Sequence, residues 1–355
     1  MLFSFQYKVV YFKFRCYLIH SVLQNRVNKK IGGYMISVQQ LRGIAVLLVV
    51  LFHMTTKLRD NGFWQYGFSI GMSGVDIFFV ISGFIMMLIS KRENNFFIFL
   101  LKRVVRIYPV YLIVATIFIL MFYSFPSISN AHNLDKKFSL LNTLTLLPID
   151  NNIVMVGWTL SYELFFYLVF AICMQLSVRK EFSIPFAILC FFILGRLFNN
   201  DFLSNSVMFE FVLGVFSYVL YKELSFPRSA VVKFLMIFIS VSWMYYSPVG
   251  IRFFDLGIPS FIIFNSYVSL FKNAGAGVLS TIGDASYSIY LTHLLSISAI
   301  FLIGHRFLGL NNPVILYILM LLPALVFGII FHLFVEKPII NYLNSRTKRL
   351  VIKNV

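Results

Sequence analysis

The sequence predicts an all-α protein, a polytopic helical bundle integral to a membrane. Hydrophobic residues make up 59% of its 355 residues, aromatic residues 18% and charged residues only 12%, and the mean hydropathy is +0.85. A soluble domain is about half apolar and about a quarter charged. Apolar windows near the ~20 residues that a helix needs to cross a bilayer recur along the chain, which indicates many crossings.

Ten apolar windows stand out, and many contain Gly or Pro, which membrane helices tolerate. The windows are 38–56, 70–90, 108–125, 155–176, 183–198, 203–221, 230–246, 253–271, 284–304 and 314–335. They predict about ten transmembrane helices.

The distribution of basic residues predicts the orientation. When successive connections are assigned to alternate sides, 23 of the 30 Lys and Arg residues fall on one side. Basic residues are retained in the cytoplasm, so both termini are predicted to be cytoplasmic. The formal charge of +17 therefore reflects topology and attraction to anionic lipid rather than nucleic-acid binding.

Residues 1–34 differ from the rest, because they lack acidic residues and their apolar stretch is broken by Lys8, Lys13 and Arg15. Residues 31–35 read Ile-Gly-Gly-Tyr-Met, and their codons can contain the ribosome-binding sequence AGGAGG just before AUG. We therefore expect that Met35 is the true start in a bacterial gene. The predicted organisation is a non-native or disordered extension over 1–34, a membrane domain over 35–340 and a basic cytoplasmic tail over 341–355.

Arg42 and His53 are the most informative residue pair. Eleven helical positions bring the second side chain within about 20° of the first, at a distance of about 16 Å along the axis. If Arg42 lies at one membrane surface, His53 lies well inside the bilayer. Ionisable groups at that depth are costly and mark functional sites, although a His that merely bonds a neighbouring helix is an equally open interpretation.

Two carboxylates also fall inside apolar windows. Asp76 lies in the second window and Glu163 in the fourth, about 8 Å below Trp158 on a helical rise. A carboxylate beside an imidazole fixes its tautomer and raises its basicity, as general-base catalysis requires. We expect Glu163 to orient His53, with Asp76 as the second choice. The alternative interpretation is that each carboxylate only joins helices by hydrogen bonding.

Arg103 and Arg106 share a helical face before the third window. Such a pair can bind phosphate by charge-assisted bonds, although juxtamembrane arginines often serve topology alone. With Arg42 they could hold a phosphorylated donor whose long arm reaches His53.

Other candidates are weaker. Trp158 and Tyr162 could stack on a sugar face, or simply anchor the membrane interface. His293 and Glu336 are candidate site residues as well as candidate structural ones. Cys16, Cys173 and Cys190 show no metal or redox spacing, so no metal site is expected.

Six signatures occur in order from about Gln39 to Pro338. They are the Arg42/His53 pair, GVDIFFVISGF at 74–84, RVVRIYP at 103–109, WTLSYE at 158–163, YSIYLTH at 287–293 and EKP at 336–338. In this order they resemble the acyltransferase 3 family of bacterial membrane acyltransferases. Where the family often has a second carboxylate after Glu163, this chain has Leu164, which argues against a role needing two adjacent acids.

The resemblance implies O-acylation, usually O-acetylation, of a surface carbohydrate in the bacterial inner membrane. The acceptor would be an O-antigen or other lipopolysaccharide, a capsule or an exopolysaccharide, free or lipid-linked. Acyl-CoA, most often acetyl-CoA, would be the cytoplasmic donor, with no permanently bound cofactor. The resemblance also implies that His53 is the key catalytic residue with Arg42 as its companion, and that Arg103 and Arg106 bind the donor.

Two alternatives remain open from the sequence. A carrier or flippase for a lipid-linked glycan would also need polar residues within the bundle. It would not explain the arginine pair, and the sequence shows no obvious internal repeat of the type that is common in carriers. A scaffold would leave the buried ionisable residues unexplained.

Overall fold

The structure is a computed structural model that describes residues 35–91, 95–124, 139–148, 151–223, 226–247 and 250–353. The described ranges form a bundle of helices and contain no strand. The predicted extension over residues 1–34 lies outside these ranges, so an origin of the protein at Met35 stays a prediction.

The α-helices of the described ranges are numbered here in chain order. They are α1 (Met35–Asp60), α2 (Ser73–Ile89), α3 (Phe96–Ser124), α4 (Leu140–Thr145), α5 (Gly157–Met174), α6 (Lys180–Leu197), α7 (Met208–Glu223), α8 (Ala230–Tyr246), α9 (Ile258–Leu270), α10 (Val278–Asp284), α11 (Ser286–Leu302), α12 (Pro313–Phe331) and α13 (Lys337–Lys353). A 3₁₀ turn (Ser69–Met72) precedes α2, and π-helical turns occur at Phe253–Gly257, Ile303–Phe307 and His332–Glu336.

Each of the ten predicted windows overlaps one of these helices, which confirms a polytopic membrane bundle. Seven helical segments of the described ranges are long and apolar enough to cross a membrane. The segments are Met35–Asp60, Ser69–Ile89, Phe96–Ser124, Gly157–Met174, Phe253–Leu270, Ser286–Phe307 and Pro313–Thr347. Helix α8 is apolar but shorter, α6 carries charges near both ends, and α7 has 16 residues. The count of ten and the cytoplasmic termini therefore stay predictions.

Helices α2 and α7 pack with their backbones in close contact. A Cβ atom on Gly83 would lie 2.1 Å from the carbonyl oxygen of Phe211, and one on Gly214 would lie 2.2 Å from that of Val80. Glycine is needed here because only its absent side chain allows this approach, as is common between membrane helices. The ring contacts of Phe79 with Phe211 and, further along both helices, of Phe84 with Tyr218 show that α2 and α7 run in the same direction.

Helix α1 runs in the same direction as α11. Near its start, Gly43 and Gly283 bring α1 against α10, since a Cβ on Gly283 would lie 1.8 Å from the carbonyl oxygen of Gln39. This contact sets Arg42 beside Ser286 at the beginning of α11. The site described below lies among α1, α2, α3, α5 and α11.

The predicted basic tail is helical where it is described. Helix α13 continues through Lys353 and packs against α3. Because α3 carries Arg103 and Arg106, the end of the chain forms one side of the same region rather than a separate appendage.

Candidate functional site

Three arginines mark one end of the bundle, which we call the arginine end. The guanidinium of Arg42 donates to Ser286 Oγ at 2.8 Å and to Gln39 Oε1 at 3.2 Å. Arg42, Arg103 and Arg106 each line two separate cavities. The structure therefore brings the three predicted arginines together, between a larger cavity and a smaller one.

The end cavity is the larger of the two, with a volume of about 1010 Å³. Its walls come from the starts of α1 and α3, the end of α10, the π turn after α12, and α13. Its lining residues are Gln39, Arg42, Ile98, Lys102, Arg103, Arg106, Asp284, His332, Glu336, Lys337, Ile340, Asn341, Asn344, Ser345 and Thr347. Five of these are Lys or Arg, so the cavity is suited to an anionic ligand.

The inner cavity leads from the arginines into the bundle and has a volume of about 90 Å³. Its lining on α2 extends from Val75 to Met86, a rise of about 16 Å. It is therefore long and narrow. Its polar lining, besides the arginines, consists of Ser82, Thr159, Glu163, Tyr167, Ser286, Tyr287 and Tyr290.

Glu163 lies at the arginine end of the inner cavity. Its carboxylate accepts hydrogen bonds from Tyr167 Oη and, at 3.5 Å, from Ser82 Oγ. The Arg103 guanidinium lies over the Phe99 and Tyr167 rings, and its buried Nε makes no hydrogen bond among the described residues. This cluster therefore holds the Arg103 guanidinium in place but leaves at least one of its N–H donors without a hydrogen-bond acceptor among the described residues.

His53 lies beside a second histidine. The centroids of the His53 and His293 rings are 5.0 Å apart. His293 Nδ1 is 2.7 Å from the carbonyl oxygen of Tyr290 and 3.2 Å from that of Ile289. Because a carbonyl only accepts, Nδ1 carries the proton and Nε2 is the acceptor nitrogen. That Nε2 atom is buried and has no hydrogen-bond partner among the described residues.

These two histidines lie just beyond the inner cavity. Tyr290 lines the cavity, and its ring centroid is 5.9 Å from that of His293. Tyr290 Oη lies 2.8 Å from Thr159 Oγ1, which holds its ring in the wall. His53 itself is not among the lining residues; its ring contacts that of His293, which in turn lies beside the cavity residue Tyr290.

No carboxylate of the described ranges hydrogen-bonds to His53, which departs from the expected pairing. Asp76 is fully buried and accepts two bonds from Arg252, at 2.9 Å and 2.8 Å. Glu163 instead bonds Tyr167. The physical reason is that helical rise gives only depth, whereas lateral neighbours depend on helix packing, which placed Arg252 next to Asp76 and Arg103 near Glu163. Catalytic roles for both carboxylates stay predictions.

The predicted carbohydrate-binding aromatics differ in accessibility. Trp158 is 39% exposed and lies under the Arg252 guanidinium at 5.6 Å. Tyr162 is 5% exposed, stacks on Phe202 at 4.2 Å and donates to the Phe202 carbonyl. Trp158 thus keeps exposed surface on which a sugar could stack, whereas the face of the Tyr162 ring is covered by Phe202.

Glu336 and His332 belong to the wall of the end cavity. The Glu336 carboxylate accepts from Ser288 Oγ at 2.6 Å and lies 2.8 Å from His332 Nδ1. Glu336 thereby ties the π turn after α12 to α11. Within the described residues, no cluster of three His, Cys, Asp or Glu side chains could hold a metal ion.

Several cavity residues were not selected from the sequence. Tyr167 follows Glu163 by four positions and so shares its helical face, a signal that was available. Tyr287 and Tyr290 lie in the signature over residues 287–293, and Ser286 directly precedes it. Glu210 is fully buried near the Asp76/Arg252 pair. Its only signal in the sequence was that it is an acidic residue inside an apolar window.

Comparison with known proteins identifies relatives across most of the chain. A family model described as "Acyltransferase domain", from acyltransferase family 3, matches residues 35–333. The exopolysaccharide production protein ExoZ of Rhizobium meliloti (strain 1021) is 30% identical over 324 residues, which cover 85% of this chain and 97% of that protein. No solved structure matches the chain.

Two further relatives are more distant. A protein of Acidianus two-tailed virus named "Putative acetyltransferase ORF330" is 27% identical over 301 residues, covering 78% of this chain and 86% of its own. A Staphylococcus aureus (strain MSSA476) protein named "Putative O-acetyltransferase SAS0844" is 24% identical, and the match covers 86% of this chain and 57% of that longer protein.

Proposed function

This chain belongs to the acyltransferase 3 family and is a membrane-bound O-acyltransferase, and we propose that it transfers an acetyl group from acetyl-CoA to a hydroxyl of a cell-surface carbohydrate. The similarity to an exopolysaccharide production protein favours an exopolysaccharide over a lipopolysaccharide or a capsule. We place the protein in the bacterial inner membrane, with the arginine end facing the cytoplasm.

The observation that carries the proposal is that the same three arginines line both the end cavity and the inner cavity. The end cavity is large enough for a nucleotide-sized head group, and the inner cavity is narrow enough for a thin chain. Phosphates bound by Arg42, Arg103 and Arg106 would leave the pantetheine arm to enter the inner cavity. Along the α1 helix, about 16 Å then separates the phosphate ligand Arg42 from His53.

The proposed chemistry takes place where the inner cavity ends, near Tyr290. Movement of the Tyr290 ring would open the path from the cavity to His53. In direct transfer, His53 takes the proton of the sugar hydroxyl as its oxygen attacks the thioester carbon. The carbon–sulfur bond then breaks, and the CoA thiolate takes up the proton that His53 accepted, so that the products are the ester, CoA thiol and neutral His53.

A covalent route uses the same residues. His53 attacks the thioester carbon first, CoA leaves as the thiol, and the sugar hydroxyl then attacks the acyl-imidazole and returns a neutral His53. In either route a proton leaves or arrives at His53. His293 Nε2, an unoccupied acceptor beside His53, is the described group best arranged to receive a proton there.

Mass spectrometry of surface polysaccharide tests the proposal. Cells carrying the gene, the gene with His53→Ala, and no gene are compared. A mass increment of one acetyl group that requires intact His53 is the expected result, and free CoA should be released from acetyl-CoA only when acceptor is present. Identical glycan masses in all three strains, with less glycan at the surface of the strain without the gene, would contradict it in favour of a carrier.

A further inference from the structure

A third cavity lies at the arginine end of the bundle, away from the two already described. It is bounded by α2, α7, α8 and α9, and its volume is about 430 Å³. Its lining residues are Phe84, Ser217, Leu220, Tyr221, Phe226, Pro227, Arg228, Lys233, Phe264, Asn265, Val268, Ser269 and Lys272. Three of them are cations, and no Asp or Glu occurs among these described lining residues.

Lys233 is the residue that requires an explanation. Most of α8 faces outward, as shown by the exposed side chains of Val231, Phe234 and Phe238. Lys233 is instead 7% exposed. A lysine that only served topology would extend its side chain toward bulk water, whereas Lys233 lines the wall of this cavity.

The surroundings of Lys233 increase the cost of its charge. Lys272 is near enough for the two positive charges to interact, and Arg228 lies in the same wall. No described carboxylate forms an ion pair with Lys233. Because three cations line the cavity without a described counter-charge, an anion bound among them would relieve their mutual repulsion.

The remaining walls indicate what kind of anion fits. Asn265 and Ser217 are buried and hydrogen-bonded to each other at 2.9 Å, which supplies a fixed polar side. Phe84 and Phe264, on the opposite side, are buried within the bundle. A small soluble anion would contact only the cations and the polar side, whereas a phospholipid also has acyl chains that can lie along the exposed apolar side chains of α8, such as Val231 and Phe234.

We propose that this cavity binds one anionic phospholipid by its phosphate, with Lys233, Lys272 and Arg228 as the phosphate ligands. The site lies at the end of the bundle that is predicted to face the cytoplasm, where anionic lipid is expected. It is separate from the acyl-CoA cavities, so the proposal does not depend on the proposed function.

The test measures thermal unfolding of the full-length protein in vesicles. Wild type, Lys233→Met and Lys222→Met are compared in phosphatidylcholine alone and in phosphatidylcholine mixed with phosphatidylglycerol. Lys222 is exposed on α7 and does not line the cavity, so its variant controls for general charge attraction. Native mass spectrometry counts the phosphatidylglycerol molecules that remain bound.

The proposal predicts different responses in the two lipid mixtures. Phosphatidylglycerol should raise the midpoint temperature of thermal unfolding of wild type and Lys222→Met by roughly 2 °C or more. It should leave the midpoint of Lys233→Met unchanged, and that variant should retain one fewer phosphatidylglycerol molecule. In phosphatidylcholine alone, Lys233→Met should be the more stable protein, because an uncompensated charge has been removed. The same phosphatidylglycerol effect in all three proteins would overturn the proposal.

Two further arms complete the design. Inorganic phosphate added to phosphatidylcholine vesicles should have no effect, and an equal stabilisation by phosphate would overturn the lipid assignment. Arg228→Gln, at the exposed rim of the cavity, should weaken the phosphatidylglycerol effect if Lys233→Met does not yield folded protein. An unchanged effect in Arg228→Gln would count against the site.

Discussion

The two ends of the path through this bundle differ in their charge and hydrogen bonding. At the arginine end, Arg42, Arg103 and Arg106 present positive charge to two cavities, and Arg103 Nε has no partner among the described residues. At the other end, His53 and His293 lie together with no described carboxylate bonded to either ring. The first region is built to bind an anion; the second keeps two imidazoles in an apolar setting.

This difference separates affinity from chemistry. In the proposed function the arginines bind the donor, but a guanidinium stays protonated and cannot accept a proton near neutral pH. An imidazole can exchange a proton there, but its neutral ring gives little binding energy. Substitutions at the two ends should therefore change different kinetic constants, and the following experiments, ordered by the size of the effect, examine that separation.

Replacing His53 should have the largest effect. His53→Ala is expected to lower kcat by about 10³-fold, within the range for loss of a positioned acid–base group, while acyl-CoA still binds with wild-type affinity. The measurement is release of CoA from acyl-CoA with acceptor, alongside donor binding by calorimetry. His305→Ala removes an imidazole outside both cavities and should retain activity. A large loss of donor affinity in His53→Ala would show that the two ends are not separate.

Replacing an arginine should act on binding. Arg103→Gln is expected to raise KM for acyl-CoA about 10- to 100-fold, as the loss of one charge-assisted bond implies, with little change in kcat. The KM difference should shrink with added salt, which weakens charge–phosphate attraction at the open end cavity. Arg179→Gln, on a residue that packs over Phe182, is the matched control. A fall in kcat at unchanged KM would contradict the assignment.

Replacing His293 tests whether the second imidazole supports His53. His293→Phe is expected to lower kcat about 10-fold, the lower range for loss of a group that positions another, with KM for acyl-CoA unchanged. His293→Gln, whose amide oxygen can accept a hydrogen bond, should recover part of the loss. The pH at which transfer declines should shift in both variants. If Phe and Gln behave alike and the pH profile is unmoved, His293 has only a packing role.

Replacing Glu163 should have the smallest effect and separates two interpretations of this carboxylate. Glu163 lines a cavity with three arginines, so Glu163→Gln increases the positive charge there and should lower KM for acyl-CoA by a factor of about 3 or less. The Tyr167 bond can persist to the amide oxygen. Steady-state kinetics measures both constants. A loss of kcat approaching that of His53→Ala would restore Glu163 to the catalytic role predicted from the sequence.

Particular residues show which parts of the candidate site could be predicted from the sequence. The spacing of Arg42 and His53 was enough to place them on one face of one helix, because helical geometry is local. The juxtaposition of Arg42 with Arg103 and Arg106 was also anticipated, since all three occur near the same predicted surface. The partner of His53 was not anticipated, because His293 lies 240 positions away and offered no local signal.

The sequence by itself determined the membrane class, the helical windows, the family and the residues that carry charge into the bundle. These follow from composition and from periodicity within single helices, which depend on neighbours a few positions apart. Tertiary structure alone decided that Asp76 pairs with Arg252, that the Tyr162 ring is covered by Phe202, and that Lys233 turns inward. Each depends on which helices are adjacent, and close glycine contacts such as Gly83 with Gly214 set that adjacency.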